Sequence, residues 1–216
     1  MEANERYTAY INSLDADRAD YLEALEEEAH ATGVPVIRRE VQSLIRTILT
    51  IKKPMRILEI GTAIGFSALC MKEAAGEKAR ITTIENYEKR ILRAKEAFKA
   101  FDPEGRITLL EGDAADILPT LTEEYDVIFM DAAKGQYLHF LPQVKRLLAK
   151  DGVLLSDNVL QDGDVIESRY AIEKRDRTIH KRMREYLWEL KHDPELETSI
   201  LTVGDGVAIS ARRPMD

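Results

Sequence analysis

Arg56-Ile57-Leu58-Glu59-Ile60-Gly61-Thr62-Ala63-Ile64-Gly65-Phe66-Ser67 is the stretch that decides the architecture. Ile57, Leu58 and Ile60 form an apolar, β-branched burst that breaks into a turn with glycines at 61 and 65. Helical spacing follows through Ala68, Leu69, Met71 and Lys72. Strand, glycine turn and helix start together build the nucleotide pocket of an α/β sheet. Glycine lets the backbone approach the ligand, and the helix N-terminus offers free N–H groups. Two details separate the stretch from a dinucleotide fingerprint. The glycine spacing is G-x-x-x-G rather than G-x-G-x-x-G, and Glu59 stands two residues before the first glycine. A carboxylate there repels a pyrophosphate but suits a ligand carrying an ammonium and a sulfonium, which predicts S-adenosylmethionine rather than NAD. Taken alone, the turn also fits a strand–helix connection with no ligand, so the remaining strands have to decide.

Downstream the pattern repeats. Residues 80–84, 106–110, 126–130 and 153–156 read as strands, and 88–101, about 114–118 and 137–148 as helices. Repeated β-α units predict a parallel, doubly wound sheet with helices on both faces. A long charged helix is expected over 171–190. After it, 199–203 and 207–211 flank Gly204-Asp205-Gly206, a hairpin signal that ends the sheet in an antiparallel pair. Upstream, 5–32 reads as one helix, and Val41, Leu44, Ile45, Ile48 and Leu49 mark a second that Pro54 stops. This N-terminal segment, residues 1–53, is expected to form a lid or a dimer surface. No linker, repeat or low-complexity tract interrupts the chain, so residues 1–216 read as one domain.

Composition narrows the classes. The 216 residues are 44% hydrophobic and 32% charged, as in a soluble globular protein. No apolar run approaches the roughly 20 residues of a membrane helix, and the N-terminus lacks the basic-then-apolar order of a signal peptide. The single cysteine, Cys70, has no intrachain partner, so a reducing cytoplasm is expected; on its helix it reads as a small buried residue rather than a nucleophile. The net charge of −8 argues weakly against broad nucleic-acid affinity, although a local basic patch can override it.

In a doubly wound sheet ligands sit at the carboxyl ends of the strands. Each predicted strand here ends in a carboxylate, an amide or a glycine turn: Gly61 to Ser67, Glu85, Gly112-Asp113-Ala114, Asp131-Ala132-Ala133-Lys134 and Asp157-Asn158. Glu85 is placed to take both ribose hydroxyls, and Asp113 with Ala114 to read an adenine edge. Asp131, Asp157 and Asn158 are hard oxygen donors with no histidine or cysteine beside them; His30, His139, His180 and His192 are scattered and read as surface residues. Three such donors with room for water suit Mg²⁺ or Mn²⁺ rather than zinc. Lys134, beside such a cation, is a candidate general base.

These residues together resemble the metal-dependent O-methyltransferases that include the catechol and caffeoyl-coenzyme A enzymes. The resemblance spans about residues 35–216. It implies a Rossmann-like class I methyltransferase fold with a seven-stranded, mostly parallel sheet, a homodimer, and S-adenosylmethionine held by Ile37, Glu59, Gly61, Gly65, Ser67, Glu85, Asp113, Ala114 and Asp131. It also implies a divalent cation on Asp131, Asp157 and Asn158, and catalysis by Lys134 with Asp131. The segments 131–137, 157–160 and 203–210 are similar to the tRNA-modifying members that methylate 5-hydroxyuridine at the wobble position. That implies a tRNA anticodon loop as partner, with Arg38, Arg39, Arg175, Arg177 and Lys181 on its phosphates; the net charge of −8 departs from this pattern. Small catechol-like phenols are the alternative acceptors.

Overall fold

A computed structural model describes residues 3–16 and 18–214. Met1 and Glu2 of the N-terminal segment, Asp17 of the expected 5–32 helix, and Met215 and Asp216 lie outside the described residues. The strands are β1 (Arg56–Ile60), β2 (Arg80–Glu85), β3 (Ile107–Glu111), β4 (Tyr125–Met130), β5 (Leu148–Ser156), β6 (Leu196–Leu201) and β7 (Val207–Arg212). They form one seven-stranded sheet in the order β3-β2-β1-β4-β5-β7-β6. β1 to β5 pair in parallel, and β7 runs antiparallel between β5 and β6, as the Gly204-Asp205-Gly206 hairpin predicts.

The helices are α1 (Ala3–Asn12), α2 (Asp20–Thr32), α3 (Arg39–Lys52), α4 (Phe66–Ala74), α5 (Glu88–Phe101), α6 (Ala114–Ile117), α7 (Tyr137–Leu147) and α8 (Arg177–His192). The central parallel strands bury apolar residues on both sides because helices cover both faces. The pleat sends Ile57, Val127, Phe129 and Leu155 into the layer of α2 to α5. Leu58, Ile60, Ile128, Met130 and Leu154 go to the layer of α6 to α8. On that side the Tyr137 and Tyr186 rings meet edge-on at 5.4 Å, and the Tyr186 hydroxyl bonds Ser156 Oγ at 2.6 Å. Cys70 lies on α4 as expected, where burial pushes its thiol up to about 12.

The structure departs from the sequence expectations at several places, and the following have a tertiary reason. The expected helix over 5–32 is two helices. Ser13 Oγ bonds the Tyr10 carbonyl at 2.6 Å, and Arg18 then turns inward onto buried Glu26 at 2.7 Å and Gln42 at 2.5 Å. β5 starts at Leu148 rather than 153, since Leu148 pairs with Tyr125 ahead of a register shift. The last helix starts at Arg177 rather than 171. Ile172 is buried in the fold and Arg177 Nε donates to its carbonyl at 3.1 Å, which holds the preceding residues in turns. His180, expected at the surface, is 4% exposed and bonds the Glu167 carbonyl at 3.2 Å, because α8 turns it toward the loop after β5.

The hairpin turn clamps that loop. Val159 and Leu160 donate their N–H groups to the carbonyls of Gly206 and Asp205, both at 2.9 Å. Gly206 has φ +90°, and the place of a Cβ is taken by Leu160, including its backbone nitrogen. Gly33, the αL residue that ends α2, has φ +68° with open space around it. Gly206→Ala should therefore cost more than the roughly 1 kcal/mol of left-handed strain expected for Gly33→Ala, by a further ~1–3 kcal/mol. Urea denaturation of the two variants checks this; equal midpoints would mean that the loop after β5 yields without resistance.

Candidate active site

The strand order reverses between β1 and β4, which leaves a crevice at their carboxyl ends. Ladder hydrogen bonds run past the strands: Gly61 N to Ile84 O at 2.9 Å, Gly112 N to Glu85 O at 2.9 Å, Asp131 N to Ile60 O at 3.0 Å and Asp157 N to Met130 O at 3.0 Å. The first residues after neighbouring strands are thus held side by side along one edge. Gly61 has φ +97°, and the Asp131 carbonyl occupies the place of a Cβ, so only glycine lets the two strand ends approach. A cleft of about 740 Å³ opens above them. Of the expected residues, Ile37, Arg38, Gly61, Glu85, Asp113, Ala114, Asp131, Lys134, Asp157 and Asn158 all line it.

At the β2 end the carboxylate of Glu85 is fixed by backbone donors. Oε2 accepts from Ala63 N at 2.9 Å, and Oε1 from Asn86 N at 3.0 Å and Tyr87 N at 2.9 Å. Asp113 caps α6, accepting from Ala115 N at 2.8 Å. At the β4 and β5 ends the carboxylates crowd. Asp157 is 2% exposed and accepts from Asn158 N at 2.8 Å. Burial and the facing Asp205 carboxylate push its pKa up to about 6, against the Asn158 N–H and the charges of Lys134 and Arg38. Burial, then the Asp157 and Glu59 carboxylates, hold Asp131 well above the ordinary carboxylate range, with Lys134 and Arg90 pulling it back. The buried Tyr137 hydroxyl lies 3.0 Å from both the Met130 and Asp157 carbonyls, and so ties the two strand ends together.

Asn158 holds a left-handed φ of 55°, and its Nδ2 donates to Asp205 Oδ2 at 3.3 Å. Arg38 pairs with Asp205 and with Asp162 Oδ1, the latter at 2.9 Å. The N-terminal segment, the loop after β5 and the hairpin turn are thereby joined at the cleft's lip. Lys134 is half-buried on the cleft wall and makes no hydrogen bond or ion pair among the described residues.

The other expected site residues do not line the cleft. Glu59 is fully buried behind it. Its carboxylate accepts from Ser67 Oγ at 2.5 Å and from Thr83 Oγ1, tying β1 to α4 and β2, and burial raises its pKa against those bonds. Glu59 and Ser67 therefore brace the glycine turn from inside. Gly65 caps α4 with the Phe98 ring packed against it. Arg39 turns away to Glu26 at 2.8 Å. Arg175 pairs with Glu173 at 3.0 Å and Asp176 at 3.3 Å, Arg177 is held by the Ile172 carbonyl, and Lys181 pairs with Glu185 at 3.5 Å.

Asn86, Arg90, Gln136, Phe140 and Asp205 join the lining without having been singled out. Asp205 carries a signal in its G-D-G turn, read as a hairpin and as part of the resembling segment 203–210 but not as a site residue. Arg90 and Phe140 lie inside helices, where no local pattern separates them from surface or core.

A sequence model described as O-methyltransferase matches residues 12–213. The O-methyltransferase ankF of Aspergillus thermomutatus is 32% identical over 176 residues, covering 73% of this chain and 71% of its own. A catechol O-methyltransferase of Mycobacterium tuberculosis is 32% identical over 165 residues, covering 73% and 72%. The crystal structure of the SAH-bound methyltransferase PaMTH1 of Podospora anserina superposes with a TM-score of 0.87 at 29% identity, covering 97% of this chain and 95% of that one. Among the described residues no helix is long and apolar enough to cross a membrane. With its strand-end cleft and a family match that runs through nearly the whole sequence, the chain belongs to the O-methyltransferase family.

Proposed function

We propose that this protein transfers the methyl group of S-adenosylmethionine to an acidic hydroxyl with a second oxygen beside it. We take that acceptor to be the 5-hydroxyl of 5-hydroxyuridine at the tRNA wobble position, which would become 5-methoxyuridine. The observation that carries the chemistry is the unpartnered Lys134 in the same cleft as Asp131, Asp157 and Asn158. What favours RNA is the position of the basic segment. Arg182 Nη1 donates to the Gly135 carbonyl at 3.0 Å, so α8 docks on the turn that carries Lys134. A wobble base lies in a single-stranded loop and can be splayed outward at low cost.

Glu85 and Asp113 bracket the end of the cleft suited to adenosine. A divalent cation fits the other end on the chemistry of the donors present. Among the described residues no three His, Cys, Asp or Glu side chains are grouped so as to hold a metal ion by themselves, and the third donor here is an amide. Asp131 and Asp157 repel one another in a buried setting, and Asn158 commits its NH₂ to Asp205, leaving its Oδ1 as the free atom. Mg²⁺ or Mn²⁺ held there would offset both carboxylates and make a chelated hydroxyl more acidic. Lys134 Nζ takes the hydroxyl proton and passes it to solvent. As the O–CH₃ bond forms the S–CH₃ bond breaks, which leaves S-adenosylhomocysteine. A small catechol is the second acceptor considered, because one of the relatives above is a catechol O-methyltransferase.

With S-adenosylmethionine and Mg²⁺, the protein should convert a synthetic anticodon stem-loop carrying 5-hydroxyuridine to the methoxy form, read by mass spectrometry of the nucleosides. Turnover of catechol alone would shift the assignment to small phenols. Lys134→Ala should slow turnover ~10²–10⁴-fold, with partial recovery as pH rises and hydroxide takes over; a rate within threefold of wild type would remove Lys134 from the chemistry. The third expectation needs no turnover. An Asp157 carboxyl raised to about 6 in the fold is at its ordinary value of ~3.9 when unfolded. Its charge penalises the fold fully above pH 6, and the penalty is lost as pH falls toward 4. Asp157→Asn should therefore raise the melting temperature of metal-free protein at pH 7.5 and progressively less toward pH 5. Calorimetry showing a gain that does not vary with pH would contradict the buried-charge account.

A further inference from the structure

The loop between β5 and α8 presents a surface that the cleft does not use. Its ends are pinned. Asp162 meets Arg38 at the cleft's lip, Val165 and Ile172 are buried, and His180, Arg184 and Arg177 of α8 bond the carbonyls of Glu167, Val165 and Ile172 at 3.2, 3.2 and 3.1 Å. Between those anchors, Tyr170 is 87% exposed and Ile166 79%. Two large apolar side chains held outward on an anchored loop are not explained by packing within this chain.

Charge separates this loop from the helix that follows. Arg175, Arg177, Lys181, Arg182 and Arg184 all have intramolecular partners. Arg169 and Lys174 are exposed and make no hydrogen bond or ion pair among the described residues. The free cations of the segment therefore flank Tyr170 instead of running along α8. An exposed aromatic ring with an unpaired cation one residue before it and another four residues after it is the chemistry that receives an unstacked base together with its phosphates.

We infer that Arg169, Tyr170 and Lys174 form a stacking platform for an unpaired nucleobase of the anticodon loop, next to the base that enters the cleft. The platform rests on the tRNA reading above and extends it by naming where the RNA is gripped. Tyr170 supplies the ring face, while Arg169 and Lys174 take the adjoining phosphates. Arg177 and Arg184 of α8 serve the fold by fastening the loop through its carbonyls.

The test measures binding of the full-length protein to a synthetic anticodon stem-loop carrying 5-hydroxyuridine, by fluorescence anisotropy, together with kcat and KM for its methylation. Tyr170→Ala should weaken binding roughly 5- to 100-fold, the range for losing one base–aromatic stack, and the loss should fall in KM rather than kcat. Tyr170→Phe should bind as wild type does, because the ring face is kept. Arg169→Ala and Lys174→Ala should each lower the slope of log affinity against log salt by about 0.7, as for one phosphate on a single strand. Wild-type-like affinity of Tyr170→Ala, with methylation of the stem-loop intact, overturns the platform and leaves the tRNA assignment standing. A wild-type protein that neither binds nor methylates the stem-loop overturns the assignment and the platform with it. A Phe variant as weak as the Ala variant, with both melting at the wild-type temperature, removes stacking as the cause. Dissociation of a dimer by Tyr170→Ala in sedimentation, with RNA affinity retained, would make the surface a subunit contact and also overturn the platform.

Discussion

Negative charge concentrated at one end of the sheet is the constraint on which the rest of the molecule depends. Parallel pairing brings Glu85, Asp131 and Asp157 to neighbouring strand ends, with Glu59 buried just beneath and Asp205 facing from the hairpin. Buried carboxylates are costly unless each finds donors or a counter-charge. The fold meets this unequally. Glu85 receives three backbone N–H groups and Glu59 two hydroxyls, so that end is satisfied by protein alone. Asp131 and Asp157 are left with one backbone donor and the distributed charges of Lys134, Arg38 and Arg90. The unmet demand falls at Asp131 and Asp157, where the proposed divalent cation would sit.

That asymmetry also explains the elements around the lip. Arg38, on the segment before α3, is drawn across the cleft by Asp162 and Asp205. Asp205 in turn orients the Asn158 amide. The N-terminal segment is thus a wall of the site and not an appendage. The hairpin, which closes the sheet as an antiparallel pair, also positions a cleft residue by way of its turn.

Much of this was legible because a parallel sheet converts sequence order into spatial order. Any residue one step past an apolar run arrives at the same edge, which is why Gly61, Glu85, Asp113, Asp131, Asp157 and Asn158 could be read as one site before any contact was known. The facing of Glu59 was also implicit, since the pleat puts it on the side of Ile57, but its apparent fit to a cationic ligand outweighed that alternation. Tertiary pairing was not legible. The break before α2 depends on Arg18 reaching Glu26 and Gln42, and the late start of α8 depends on Ile172 entering the core. Neither leaves a glycine or proline at the boundary to announce it.

The basic run from Arg169 to Arg184 shows the same limit in terms of charge. Counting cations treats each as available, but a guanidinium that has found a carbonyl or carboxylate in its own chain has spent its donors. Arg177, Arg182 and Arg184 hold backbone carbonyls, and Arg175 and Lys181 hold acids one to four residues away. To bind a phosphate they must first give up those contacts, so their net contribution to affinity shrinks toward that of an exchanged hydrogen bond. Among the described residues, Arg169 and Lys174 have no such contact to give up. In a chain of net charge −8, recognition of a polyanion cannot come from the overall field, which repels it. The proposed binding of RNA would therefore rest on a few uncompensated cations, and Arg169 and Lys174, on the loop between β5 and α8, are such cations among the described residues.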